Sequence, residues 1–314
     1  MPADTAPSAA ADLRTRFVSW LPTAVDARVR VAAWLSFIAE TIIIGTGGAV
    51  RLTGSGLGCS EWPLCTPESL VPTPEMGVHG LIEFGNRTMT GVVGLVALAV
   101  LVLVWRMRAE RRDLFALAAI VLGGIVAQAV VGGITVWTGL NPFIVGFHYA
   151  ASLTLVCLTA AFLVRAYDAP GPRSLAVPRW YLILTHVTSL VLAVTILFGV
   201  LTTGSGPHSG DAEVIRRGFD ATVLAHVHSW PGYILLGLVV VLLAAAWTLR
   251  LPTRRWMAVL LLAIGVQILV GVIQARNGLP ELLVGIHMVL AALSAATFTV
   301  VVLRMKTPAA LPRD

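Results

Sequence analysis

Two histidines sit at equivalent places of a repeated stretch, and their neighbours suggest what they hold. Gln128-Ala-Val-Val-Gly-Gly-Ile-Thr-Val-Trp-Thr-Gly-Leu-Asn-Pro-Phe-Ile-Val-Gly-Phe-His148 aligns without gaps on Gln267 to His287, with nine of 21 positions identical. His226 and His228 fall in another long apolar run, and His79, Glu83, Asn86 and Arg87 share a fourth. Ionisable groups inside apolar runs are costly, so paired imidazoles at matching depth call for a ligand. Two imidazoles facing each other from neighbouring helices of a four-helix bundle grip haem iron through two axial nitrogens. Residues two apart point about 200° away from each other on a helix, so only one of His226 and His228 faces such a bundle, and periodicity does not choose between them.

The carboxylates and amides around these histidines have several readings. His79, Glu83 and Asn86 lie on one helical face at spacings of four and three. Glu83 and Arg87 form either a plain i,i+4 ion pair or a pocket in which Glu83 serves as an acid/base or cation-stabilising group and Arg87 meets a haem propionate. Glu40, near the middle of the first apolar run, belongs in a bundle interior as a packed acid or part of a proton path. Gln128 and Gln267 read as hydrogen bonds between helices. No matched Gly/Pro interruption appears at the midplane of both halves, which argues against a translocation path for cations.

Composition dictates the elements that position these groups. Of the 314 residues, 57% are hydrophobic and only 12% charged, which no aqueous core accommodates. Apolar runs of membrane-spanning length lie near 31–50, 79–105, 114–137, 142–165, 179–203, 220–249, 256–275 and 281–303, so the chain is an all-α integral membrane protein of eight transmembrane helices. A second echo, Leu52-Thr-Gly-Ser-Gly56 with Thr202-Thr-Gly-Ser-Gly206, divides it into two tandem four-helix bundles. An even number of spans per half keeps both in one orientation, related by pseudo-twofold symmetry along the membrane normal. The boundaries are a tail over 1–30, halves over 31–166 and 179–303, a linker over 167–178 and a tail over 304–314.

Arginines occupy alternate loops: Arg14, Arg16, Arg28 and Arg30, then Arg106, Arg108, Arg111 and Arg112, then Arg165, Arg173 and Arg179, then Arg250, Arg254 and Arg255, with Arg304 and Lys306 at the end. Those loops, both tails and the linker are expected to be cytoplasmic, with the histidines towards the outer face of a bacterial-type plasma membrane. The net charge of +6 is therefore a topology signal, and nucleic acid is no partner; membrane lipid is. The first 28 residues contain no apolar stretch ending in a cleavage site, so the first span is expected to direct insertion. Cys59 and Cys65 share the first outward loop, where a disulfide is permitted, as a staple or as a labile redox pair, whereas Cys157 lies within a span.

One long segment resembles a known family. Gly47-Gly-Ala-Val-Arg-Leu-Thr-Gly-Ser-Gly-Leu-Gly-Cys-Ser-Glu-Trp-Pro-Leu-Cys65 is similar to the first outer loop of haem A synthases. The Ile82-Glu83 to Arg87 segment, the His148 and His287 runs and Thr203 to Asp211 match as well, so the resemblance covers nearly the whole chain apart from its tails. It implies an oxidoreductase that converts the C8 methyl of haem O to a formyl group with water-derived oxygen, making haem A for cytochrome c oxidase. It further implies haem B in the C-terminal half with His228 and His287 as axial iron ligands, and haem O in the N-terminal half beside Glu83, His148 and Arg87. Partners implied are a haem O synthase, the cytochrome c oxidase assembly machinery and an unidentified electron acceptor. Cys59 and Cys65 would pass electrons or fix the loop over the site. The chain departs from the family at Asn86, where the usual pattern has histidine. Iron ligated by His148, either five-coordinate or assisted by Asn86, is the expected arrangement, and His79, about 10 Å away along the axis, substitutes only if the substrate sits closer to the surface. The alternative, from the repeat and histidines alone, is a non-catalytic b-type cytochrome passing electrons between quinone and an outer partner. A third class is a haem-handling protein that binds haem O without oxidising it.

Overall fold

Each apolar run becomes a helix, and the hydroxyls within them are satisfied locally. The computed structural model describes residues 9–211, 214 and 219–308. Its helices are α1 (Ala9–Trp20), α2 (Ala27–Leu52), α3 (Gly77–Val104), α4 (Arg112–Trp137), α5 (Pro142–Tyr167), α6 (Arg179–Ser205), α7 (Ala221–Thr248), α8 (Arg254–Arg276) and α9 (Glu281–Arg304). Eight of them, α2 to α9, are long and apolar enough to cross a membrane. Hydroxyls such as Thr41, Thr195 and Thr299 donate to carbonyls four residues back, which removes an unpaired donor from the apolar interior.

Helix ends follow their capping chemistry. The Asp26 carboxylate accepts from the Val29 N–H, so α2 starts at Ala27, inside the segment read as an N-terminal tail. Asn141 caps α5 and is followed by Pro142 at the first helical position, where its missing N–H costs nothing. Asp220 caps α7 through the N–H groups of Thr222 and Val223.

Two structured pieces were not read from the sequence. Helix α1 precedes the first span, and Arg106 at the end of α3 donates to the carbonyls of Val18 and Leu21, tying the two together. The segment read as a bare linker holds β1 (Arg173–Leu175), which pairs antiparallel with β2 (Lys306–Pro308) just past α9. Of the tails, residues 1–8 and 309–314 lie outside the described residues.

Helices α2 to α5 pack around a ring in which each touches the next and α2 closes on α5; α6 to α9 do the same. The two rings are welded by α5 against α6 and α9, and by α2 against α9. One buried cluster crosses that weld, with Ile44, Leu153 and Val156 packed among Leu235, Leu242, Leu260 and Phe298. Two smaller clusters fill the first ring, one at the end bearing the chain termini (Val29, Val104, Met107, Leu114, Phe162) and one nearer its middle (Val93, Ile125, Leu155).

An ionic bracket fastens the terminal end. Asp168, nearly buried just after α5, accepts a hydrogen bond from Arg304 at 2.8 Å and forms an ion pair with Arg173 at 2.9 Å. Asp168→Ala leaves two cations facing each other and is expected to cost about 2 kcal/mol, by the usual penalty for stranding a charged hydrogen-bond partner. Thermal unfolding in detergent checks this, with an unchanged midpoint counting against the bracket.

Candidate functional site

One cavity of about 680 Å³ is lined from both rings and takes in His148, His228 and His287. That volume falls in the range of small-molecule and cofactor sites. The rings of His228 on α7 and His287 on α9 face each other with centroids 6.3 Å apart and planes 81° apart. Metal–imidazole bonds of about 2 Å on either side of one ion, added to the half-width of each ring, span that separation. The Nδ1 of His228 lies 2.9 Å from the Thr195 carbonyl, to which it donates, leaving its Nε2 for a metal. His287 is held differently: the Gln267 amide donates to its backbone carbonyl at 3.0 Å, while its Nδ1 is buried without a hydrogen-bond partner. His226, two residues from His228, is exposed and bonded to Thr222 on its own helix.

Glycines make room for these imidazoles. A Cβ on Gly199 would come within 2.9 Å of the His228 ring, and one on Gly271 within 3.0 Å of the His287 ring. Gly271 and its repeat partner Gly132 are equivalent, and Gly132 faces His148 at 3.6 Å. Gly199→Val is therefore expected to push His228 out of line with His287 and, on the expectation that this pair holds an iron porphyrin, to strip most of it. Haem-to-protein absorbance of the purified variant measures it, and wild-type occupancy would contradict the assignment.

The first ring repeats part of this arrangement. Gln128 donates to the His148 carbonyl at 2.6 Å, as Gln267 does for His287, and also to Ser152. The Nδ1 of His148 is buried without a partner. No second histidine faces it from α3; Asn86 lines the cavity there, its Oδ1 accepting from Thr46 at 2.7 Å. The rim of the cavity carries two cations that sequence alone offered no reason to single out, Arg51, which donates to the Thr203 carbonyl, and Arg276, together with His208. Burial and the Arg51 charge hold His208 below the ordinary imidazole range, with Glu281 pulling the other way. Both lowering effects favour the neutral imidazole beside the guanidinium. Arg51 lies inside the quoted loop motif, and its place at the cavity was legible only in the folded chain, where Arg51 donates to Thr203 of the echoed segment and the Gly56 N–H donates to the carbonyl of Gly210, just beyond that segment, at 2.7 Å.

Glu83, Arg87 and His79 are not part of that lining. Glu83 is buried beneath the loop that follows α2, accepting from the Cys59 N–H at 2.6 Å and pairing with Arg87 at 2.5 Å. Arg87 also donates to the carbonyls of Glu61 and Leu64 at 2.8 Å and of Cys59 at 3.3 Å. His79 is engaged by Ser55 at 2.9 Å. The same loop is closed by a Cys59–Cys65 disulfide and laid across α4 by Trp62, which packs on Gly133 and meets Trp137 edge-on. The structure thus brings Glu83, Arg87, Cys59 and Cys65 together as a stapled lid root, apart from the cavity that gathers His148, Asn86, His228 and His287.

A family model described as cytochrome oxidase assembly protein matches residues 30–302. Relatives named Heme A synthase include one from Listeria welshimeri, 31% identical over 148 residues, or 45% of this chain and 48% of the relative. Another, from Lysinibacillus sphaericus, is 32% identical over 179 residues, covering 53% and 57%. A third, from Bacillus cereus, is 34% identical over 128 residues, covering 40% of each. The chain spans about half the length of the curated relatives it matches.

Proposed function

The chain belongs to the cytochrome oxidase assembly protein family, and from that premise we propose that it acts as a haem A synthase, oxidising the C8 methyl of haem O to a formyl group with oxygen from water. The observation that carries the reading is the facing pair His228 and His287 in a cavity shared with His148. Two imidazoles opposed at that distance suit a resident haem B, and a third that lacks a histidine partner suits a substrate haem that must be released. Haem B, when bound, supplies reversible one-electron transfer at the edge of the substrate site.

The protein's own groups then do four things. Thr195 fixes the tautomer of His228, and Gln267 ties the His287 turn to α8. His148 offers its imidazole to the iron of haem O, with the Asn86 amide, held by Thr46, on the opposite wall. Arg51 and Arg276, with neutral His208, meet the propionates at the rim. Glu83 and Arg87, expected to touch the substrate, act by anchoring the loop that covers the outer end of α3 and α4. His79 stabilises the same loop through Ser55 and is assigned no iron.

In this proposal residues 31–166 form the substrate half and 179–303 the haem B half, related by a pseudo-twofold axis along the membrane normal. The repeated Gln-to-carbonyl bond at His148 and His287 supports that relation. Both termini lie in the cytoplasm of a bacterial-type cell and the haem sites face outwards, on the evidence of arginines in alternate loops and a disulfide in the first opposite loop. A haem O synthase delivers substrate, cytochrome c oxidase assembly takes the product, and electrons pass to an acceptor of unassigned chemistry.

Expression with a haem O synthase, followed by chromatography of extracted haems, tests the whole. Haem B together with haem O, its alcohol or haem A is expected. Haem B alone, bound in both halves, would replace the synthase with an electron-carrying cytochrome. Replacing Cys59 and Cys65 together by serine is expected to lower protein yield and leave turnover per molecule intact, because Arg87 also holds the loop. A drop in turnover at normal yield would instead give the pair a redox task.

A further inference from the structure

The deep end of the cavity carries one group that the proposed mechanism leaves unused. Glu40 on α2 is 2% exposed, lines the cavity, and its Oε1 has no hydrogen-bond partner. It is the only carboxylate in that lining among the described residues. Seven residues, or about 10 Å of helix rise, separate it from Gly47, which faces Asn86. The same lining includes the aliphatic Ile43, Ile44, Val93, Ile125 and Leu155, and Val93, Ile125 and Leu155 belong to a buried cluster with Ala39, the residue before Glu40, and with Ala97 and Val121. Gln267, Gln274 and Ser294 also leave a buried oxygen unpaired in this lining, but Glu40 alone among them is ionisable, and a buried carboxyl without a partner is the costliest of the four.

The rim sets which edge of a haem reaches this floor. Arg51 and Arg276 draw the propionates outwards, so the opposite edge of the porphyrin points inwards, towards Glu40. In haem B that edge carries vinyl groups. In haem O one vinyl is replaced by a prenyl chain whose first carbon bears a secondary hydroxyl. A polar acceptor ringed by aliphatic side chains matches a hydroxyl on a prenyl chain, and nothing on haem B would satisfy it.

We infer that Glu40 is the specificity residue of the substrate half, hydrogen-bonding the hydroxyl that distinguishes haem O from haem B. The inference rests on the proposed function and on His148 marking the substrate half. Buried groups that pair with a substrate hydroxyl discriminate strongly against the analogue lacking it, because the protein group is then stranded. The device keeps haem B, which the second half needs, from occupying the first.

The test uses the full chain carrying haem B, titrated with haem O and separately with haem B, and followed by the absorbance of the haem added. Glu40→Leu is expected to weaken haem O binding by roughly tenfold to a hundredfold, the range for a hydrogen bond to a charged group, and to leave weak haem B binding at the first half no weaker. Glu40→Gln, which still pairs with a hydroxyl, is expected to keep most of the preference. Retained haem B at the His228–His287 pair reports that each variant is folded. Unchanged haem O affinity in Glu40→Leu overturns the inference. So does a Glu40→Gln enzyme that binds haem O normally but does not turn over, which would make Glu40 a proton-transfer group instead. Failure of the wild-type chain to take up haem O at all would instead sink the synthase reading.

Discussion

On the proposed assignment of haem B to His228 and His287, replacing His287 by alanine is expected to strip most of that haem and abolish turnover. The reason is geometric. The opposed rings of His228 and His287 are the one place in the described structure where two imidazoles face each other at the separation that one iron bridges. Two other histidines of the cavity are turned to other partners or placed apart: His226 is exposed and bonded along its own helix, and His148 lies on the other ring of helices. Loss of one axial nitrogen converts a closed six-coordinate site into an open one, so any haem that remains would show a five-coordinate spectrum and a shifted potential. His226→Ala is the control and is expected to leave the reduced b-type spectrum untouched. A variant at His287 that kept the wild-type spectrum would require the resident haem to sit elsewhere in the cavity.

The second large effect concerns stability. Arg87→Ala strands the Glu83 carboxylate, which is 5% exposed, with only backbone N–H groups of Gly58 and Cys59 to hold it, and it releases three loop carbonyls at once. Removing one partner of a buried ion pair costs about 3–5 kcal/mol, far more than the pair itself contributes, since the remaining charge stays desolvated. The expected result is a large fall in the unfolding midpoint, together with loss of the Trp62 packing on α4. The double variant Arg87→Ala with Glu83→Gln removes the stranded charge and is expected to recover a good part of the loss. If the single variant were as stable as wild type, the pair would be solvated and free to serve the substrate, as the sequence first suggested.

That contrast marks what each level of description supplies. The eight spans were legible because apolar runs of membrane length have few alternative structures. The repeat around Gln128 and Gln267 was equally legible, and its hydrogen bonds to the His148 and His287 carbonyls follow the alignment. Helix α1 and the β1–β2 pairing were missed because neither is apolar enough to announce itself, and β2 finds its partner more than 130 positions away.

The side-chain assignments divide along the same line. Sequence by itself determined which residues are available for chemistry: the histidines, the cystine loop, Glu83 and Arg87, and a buried Glu40. Only tertiary structure decided which of them share a space. A helix presents Glu83 and Asn86 on nearly one face, yet Asn86 lines the cavity and Glu83 lies beneath the loop, because the loop's N–H and carbonyl groups compete for the carboxylate and guanidinium. The choice of His228 over His226 follows from where α9 packs, and the exposure of Glu40 to the cavity from how four helices close beneath it. Spacing along one helix sets direction only modulo a turn; the partner on the next helix settles what that direction means.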